Sequence, residues 1–329
     1  MQTGLTTAIL PAGEAAVAAA ARALAEGALV AFPTETVYGL GADATNPQAV
    51  ARLYQAKGRP AFNPLISHLG DLAAARRIGR FDATALALAD AFWPGPLTLV
   101  LPKTADCAVA ELATAGLETI AIRIPSHPIA RAILRAFGGP VVAPSANLSG
   151  HVSPTTSAHV QNDLDGRIDL IVDGGPVAVG VESTIVGCFG EPMLLRPGGL
   201  LREAIERVLG RALVQSPADA ESDSAQPLAP GMLASHYAPR TRVRLNADHV
   251  EAGEALLAFG TPARGAESAA AVMNLSPRGD LNEAAANLFG YLRALDAKLA
   301  RTIAVMPVPS EGLGEAINDR LRRAAVGRD

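Results

Sequence analysis

Phe32 to Gly41 reads Phe-Pro-Thr-Glu-Thr-Val-Tyr-Gly-Leu-Gly and follows directly on the apolar run Gly27-Ala28-Leu29-Val30-Ala31. An apolar run that short, closed by Pro33 and a Thr/Glu/Thr cluster, predicts a buried strand that delivers polar side chains at its carboxyl end. In open α/β sheets ligands bind at that end. Gly39 and Gly41, one residue apart, let backbone approach a ligand or turn sharply with no Cβ in the way. The same pair also suits a plain turn between two strands.

A chain of 329 residues exceeds what one core usually organises, so two domains are expected. Hydrophobic residues make up 49% and the mean hydropathy is +0.23. No uninterrupted apolar stretch approaches the about 18 residues of a membrane span, so a soluble protein is expected. Met1 to Leu10 has no basic residue ahead of a hydrophobic run, and Cys107 and Cys188 form no close-spaced pair, which fits a reducing, cytoplasmic location. Residues 1–215 carry 16 Lys/Arg against 18 Asp/Glu, and residues 216–329 carry 12 against 14. Neither part has the positive excess of a dedicated nucleic-acid binder.

Along the chain, Glu14 to Glu26 has Val17, Ala21 and Leu24 on one helical face and is stopped by Gly27. Asn46-Pro47 is an N-cap followed by a first-turn proline, so a helix runs to Ala56 and leaves Lys57 and Arg59 on a loop that Pro60 and Pro64 hold extended. Leu65 to Leu69 reads as a strand carrying His68. Asp71 and Asp82 each cap a helix, and Trp93-Pro94-Gly95-Pro96 bends before the strand Leu97 to Leu101, a purely architectural role. Thr119 to Ile124 is a further strand, followed by a helix from Pro128. Short strands are predicted at Pro140 to Ala143, Asp169 to Val172, Thr184 to Val186 and Met193 to Leu195, then a helix at Leu201 to Leu209.

Arg211 to Ala229 is dominated by Gln, Ser, Pro, Ala, Asp and Glu and reads as a linker. His236-Tyr237 is out of character there unless the ring packs on something. From Arg242, apolar stretches at Ala255–Phe259, Ala271–Leu275 and Ile303–Val308 alternate with helices at Leu281–Ala300 and Leu313–Ala325, the pattern of a small parallel α/β domain. There is no metal-ligand spacing, Walker-type loop or repeat period.

Arg123 lies on the apolar strand Ile120-Ala121-Ile122-Arg123-Ile124, and a guanidinium there needs an anionic partner to offset its desolvation. The sequence leaves open whether that partner is a carboxylate of the protein or of a substrate. Hydroxyls and an amide crowd after a strand at Ser145, Asn147, Ser149 and Ser153, which suits either phosphate and ribose binding or a set of turns.

The order Pro33-Thr-Glu-Thr, Lys57-Gly-Arg-Pro, Asn63-Pro-Leu with His68, Pro94-Gly-Pro-Leu-Thr, Arg123-Ile-Pro, Ser145-Ala-Asn-Leu-Ser-Gly, Ser183-Thr-Ile and Arg196-Pro-Gly resembles the threonylcarbamoyl-AMP synthases, the YrdC-type enzymes of tRNA modification. The resemblance implies a YrdC-type open twisted sheet with helices over 12–210, a linker or lid over 211–240, and a Rossmann-like parallel α/β domain over 241–329. It implies adenylyl transfer from ATP to N-carboxy-L-threonine, with L-threonine, bicarbonate and ATP as substrates, Mg2+ accompanying ATP, and no protein metal site. Lys57 and Arg59 would be catalytic. Thr36, His68, Arg123, Ala143 and Ser183 would take L-threonine, and Arg59, Asn63, Thr119, Ser145, Asn147, Ser153, Arg196 and Tyr237 the nucleotide. The product would pass to the tRNA threonylcarbamoyl-transfer machinery, with tRNA itself a weak contact and no membrane partner. Two other readings stand beside it: a non-catalytic RNA-binding module on the same fold, and the same enzyme class with another substrate.

Overall fold

The computed structural model describes residues 5–215 and 237–326. The chain divides into two compact units. The first comprises Met1–Ser149, Pro154–Val177 and Glu182–Met232, and the second Gly150–Ser153, Ala178–Val181 and Leu233–Asp329.

The first unit is a mixed sheet. Its strands are β1 (Ala8–Pro11), β2 (Val30–Pro33), β3 (Tyr38–Asp43), β4 (Ile66–His68), β5 (Leu97–Pro102), β6 (Thr119–Arg123), β7 (Val141–Val142), β8 (Leu170–Asp173), β9 (Thr184–Gly187), β10 (Met193–Arg196) and β11 (Val214–Gln215). They form one 11-stranded sheet in the order β1-β8-β2-β3-β7-β4-β6-β5-β9-β10-β11. Around it run α1 (Glu14–Ala25), α2 (Pro47–Lys57), α3 (Leu72–Ile78), α4 (Ala83–Phe92), α5 (Pro128–Phe137), α6 (Ser157–Leu164) and α7 (Arg202–Leu209).

The helix starts follow from side-chain capping. Asn46 accepts from the amides of Gln48 and Ala49, Asp71 from Ala74, Asp82 from Ala85, and Thr156 from His159. Each satisfies amides that the first turn leaves unpaired. Gly58 closes α2 at φ 59°, the left-handed region that favours glycine. Apolar side chains pack on both faces of the sheet. One cluster runs through Leu53, Leu88, Leu99 and Ile122, the other through Leu24, Phe32, Ile133 and Val172.

The structure corrects three expectations. Gly39 and Gly41 do not form a turn. They lie within β3, antiparallel to β2, with Gly41 opposite Val30, and a Cβ on Gly41 would stand 2.7 Å from the Phe32 ring. Lys57 is not on a loop but is the last residue of α2, and its side chain is buried. The Trp93-Pro94-Gly95-Pro96 bend, with its cis Trp93–Pro94 bond, reaches the site: the Gly95 amide donates to the Ile124 carbonyl at 2.8 Å, and its own carbonyl accepts from Arg123.

The second unit holds β12 (Arg242–Arg244), β13 (Glu254–Ala258), β14 (Val272–Asn274), β15 (Thr302–Val305), α8 (Leu281–Asp296) and α9 (Leu313–Ala325). Its four strands are all parallel, in the order β12-β15-β13-β14. The predicted small parallel α/β domain is therefore present, with β12 as an addition. The predicted linker lies largely outside the described residues, as does His236.

Candidate active site

Arg123 ends β6, and register puts His68 beside it on β4 and Thr98 beside it on β5. The guanidinium is held at all three nitrogens. Nη2 donates to Glu35 Oε1 at 2.6 Å, Nη1 to Thr36 Oγ1 at 2.9 Å and Nε to the Gly95 carbonyl at 3.3 Å. The protein carboxylate demanded by its burial is thus Glu35. With five N–H groups on a guanidinium, one on each terminal nitrogen remains for a ligand.

Glu35 and Thr36 stand in the turn joining β2 to β3. The Thr34 hydroxyl donates to the Val37 carbonyl at 2.6 Å and accepts from the amides of Thr36 and Val37. The two hydroxyls lie 2.8 Å apart, and Thr36 Oγ1 accepts from Arg123 Nη1.

His68 is buried, and its Nδ1 lies 3.1 Å from the Ile66 carbonyl. That acceptor fixes the proton on Nδ1 and leaves Nε2 as a lone pair. Burial, reinforced by the Arg123 charge, pushes the imidazole down to about 3. The Ile66 carbonyl also accepts from the Ala143 amide at 3.1 Å, which brings Ala143 to the same place.

The Ser183 hydroxyl lies 2.8 Å from Thr98 Oγ1 and accepts from Arg196 Nη2 at 3.2 Å. Thr98 is fully buried and has this hydroxyl as its side-chain partner. Either hydroxyl can donate in this contact, and whichever does leaves the other with a buried proton to share with a ligand. Arg196 also donates twice to the Ser183 carbonyl. Gly198 makes this approach possible, since a Cβ there would collide with the backbone of Glu182, Ser183 and Thr184.

A second group lies toward α2. The Lys57 ammonium donates to the carbonyls of Ser145 and Asn147, and the Lys57 carbonyl accepts from the Ser149 amide at 2.8 Å. Arg59 donates to the carbonyls of Asn63 and Pro64 at 3.2 and 2.9 Å. The Asn63 side chain is 1% exposed, yet among the described residues neither its amide nitrogen nor its oxygen has a hydrogen-bond partner. Thr119 opens β6 at the end opposite Arg123, level with the chain that enters β4 through Asn63 and Pro64. Ser153 and Tyr237 belong to the second unit. There Tyr237 stacks on Phe289 at 5.6 Å, with Arg320 5.2 Å from its ring, so the ring does pack on something.

The residues that sequence reasoning passes over are Glu35, Thr34 and Thr98, all inside motifs already singled out. Thr98 is signalled as a polar side chain in an apolar strand, whereas Thr34 and Glu35 lie in the polar Thr/Glu/Thr run and carry no such signal.

Residues 22–198 match the Sua5_yciO_yrdC family model, described as "Telomere recombination". Residues 200–326 match the model of the threonylcarbamoyl-AMP synthase C-terminal domain. The threonylcarbamoyl-AMP synthase of Bacillus subtilis (strain 168) is 44% identical over 95% of this chain and 93% of its own. The chain is a member of the threonylcarbamoyl-AMP synthase family. The family's Pyrococcus abyssi member is 43% identical over 93% of each chain. A crystal structure of P. abyssi Sua5 complexed with L-threonine superposes with a TM-score of 0.87, covering 98% of this chain and 97% of that one at 38% identity. The family's two-part architecture thus accounts for both units. Among the described residues no helix is long and apolar enough to cross a membrane.

The His68 geometry predicts acid lability. The unfolded chain takes up a proton below about pH 6.5, and the folded chain resists it down to about 3. Stability from this group is complete above about 6.5 and falls by roughly 1.4 kcal/mol per pH unit below it. Urea unfolding at pH 7.5 and pH 5 should show His68→Asn losing about 2 kcal/mol less than the parent chain over that interval. Equal losses would contradict the assignment.

Proposed function

We propose that this chain is an L-threonylcarbamoyladenylate synthase: a nucleotidyltransferase that joins L-threonine, bicarbonate and ATP to give threonylcarbamoyl-AMP and pyrophosphate. The observation that carries this reading is the pairing of His68 with Arg123 in the pocket. His68 leaves a lone pair at Nε2 and Arg123 keeps two N–H groups, and the Thr36 and Ser183 hydroxyls can each donate or accept. An acceptor on His68 and donors on Arg123 complement an amino-acid zwitterion, ammonium toward the first and carboxylate toward the second. The relative crystallised with L-threonine supports the choice of amino acid.

His68 is too weak a base, at about 3, to remove the ammonium proton. Its part is to accept a hydrogen bond and orient the amine. No nucleophilic side chain is required once the carbamate has formed, because its oxygen attacks the α-phosphorus directly while pyrophosphate departs in line. The chain's contribution is positioning and charge neutralisation. Lys57, Arg59 and Arg196 supply fixed cations for the phosphates, and the unmet amide of Asn63 offers the nucleotide both a donor and an acceptor.

ATP enters as its magnesium complex, the ion carried by phosphates and water. Among the described residues there is no group of three or more His, Cys, Asp or Glu that could hold a metal ion. The product serves N6-threonylcarbamoylation of tRNA position 37 by a separate transfer machinery, in the cytoplasm. Pyrophosphate release should require threonine, bicarbonate and ATP together. Release that ignores threonine, or a preference for another amino acid, would overturn the reading.

A further inference from the structure

We infer that Glu35 is a positioning residue for the amino-acid pocket, its carboxylate holding the Arg123 guanidinium so that the donors left over face the substrate. The inference rests on the threonine reading of that pocket, and it concerns a residue to which no part of that reading assigns a role.

Glu35 ties the β2–β3 turn to a distant stretch of chain, Arg123 to His127, that runs from the end of β6 to the start of α5. Its Oε1 accepts from Arg123 Nη2 at the end of β6, while its Oε2 accepts from the amides of Ser126 and His127 at 3.1 and 3.4 Å. Those two amides lie at the start of α5, where a helix favours negative charge. Glu35 is 8% exposed, so the geometry is not diluted by water. Burial alone would raise its carboxyl. The Arg123 charge, the hydrogen bond from Arg123 and the backbone donors outweigh burial and hold it below the ordinary carboxylate value.

Glu35 neutralises Arg123, so the pair presents directed donors without a bare buried cation that would draw the ATP phosphates into the amino-acid pocket. Glu35 also needs both oxygens as acceptors. A glutamine keeps the shape but turns an NH2 either on Arg123 or on the Ser126 and His127 amides, and donor then faces donor. Either choice displaces the guanidinium fork while leaving Lys57 and Arg59 in place.

The test is steady-state pyrophosphate release by Glu35→Gln and Glu35→Asp, with threonine and ATP varied separately. Glu35→Gln is expected to raise the threonine KM at least about tenfold, in line with losing a hydrogen bond between charged groups. The ATP KM should stay within about twofold and kcat at saturating threonine within about threefold. Glu35→Asp, which keeps the charge on a shorter stem, should recover part of the threonine affinity. A threonine KM at the parent level in folded Glu35→Gln would overturn the role. So would equal shifts in both KM values with no rescue by aspartate. If Glu35→Gln does not fold, Glu35→Asp decides: a raised threonine KM with an unchanged ATP KM supports the role, and an unchanged threonine KM overturns it. Failure of the unsubstituted chain to release pyrophosphate with threonine would instead overturn the function itself, so the two failures are distinguishable.

Discussion

Arg123→Gln should abolish measurable threonine dependence and cost about 3–5 kcal/mol of stability, because it strands the Glu35 carboxylate in a buried site. The sign of the pH effect follows from the same pair. In the parent chain the Arg123 charge helps hold the Glu35 carboxyl down against burial. With the guanidinium gone, burial dominates and the folded-state value rises above the unfolded one. A carboxyl shifted that way contributes stability below its unfolded value and loses it as pH rises through the folded one. The variant should therefore recover part of its deficit at pH 5 relative to pH 7.5, opposite to the His68 trend in the parent chain. Adding Glu35→Gln should restore about half of the lost stability and none of the threonine binding, since removing both charges is far less costly than stranding one. Urea unfolding and threonine titration calorimetry of the single and double variants check both parts. A double variant less stable than Arg123→Gln would refute the pairing.

The parts of this fold that are legible in the sequence are those written in local chemistry. Asn46, Asp71 and Asp82 announce α2, α3 and α4 because a cap is a contact between residues two or three apart. The alternation of apolar stretches and helices after Arg242 announces the parallel sheet of the second unit for a similar reason. What is not legible depends on distant partners. β3 is hidden because Gly39 and Gly41 depress strand character, and the close approach at Gly41 is to the Phe32 ring and Val141 across the sheet. The helix α6 sits behind a Ser/Thr/Pro stretch that reads as turns until Thr156 is seen capping it. At the site, motif order locates most of the side chains that contact one another. Glu35 and Thr98 stand in those motifs without a legible task, since each acts on another side chain 85 or more residues away. Arg123 shows the same limit: its sequence context demands an anion but cannot say whose.

Lys57→Met should lower the rate of pyrophosphate release by about 10²–10³, the usual cost of losing one fixed donor at a developing charge, while leaving threonine affinity within about twofold. Of the ammonium's three protons, the carbonyls of Ser145 and Asn147 take two. The third is uncommitted among the described residues, and it belongs to a group whose position is fixed by the loop that it holds. Burial and the nearby Arg59 charge push the amine well down from the ordinary lysine value, and Asp163 opposes them. The two carbonyl dipoles act in the same sense as Asp163, since they bond to the charged form. A cation held this way is already desolvated and needs little reorganisation as charge grows on the phosphates. Arginine should not rescue it, because a planar guanidinium cannot direct donors to two carbonyls and a phosphate from the end of a buried stem shaped for an ammonium. The discriminating measurement is single-turnover pyrophosphate release beside threonine calorimetry. A variant that loses threonine binding as severely as its chemical step would place Lys57 in the amino-acid pocket and remove it from the nucleotide side.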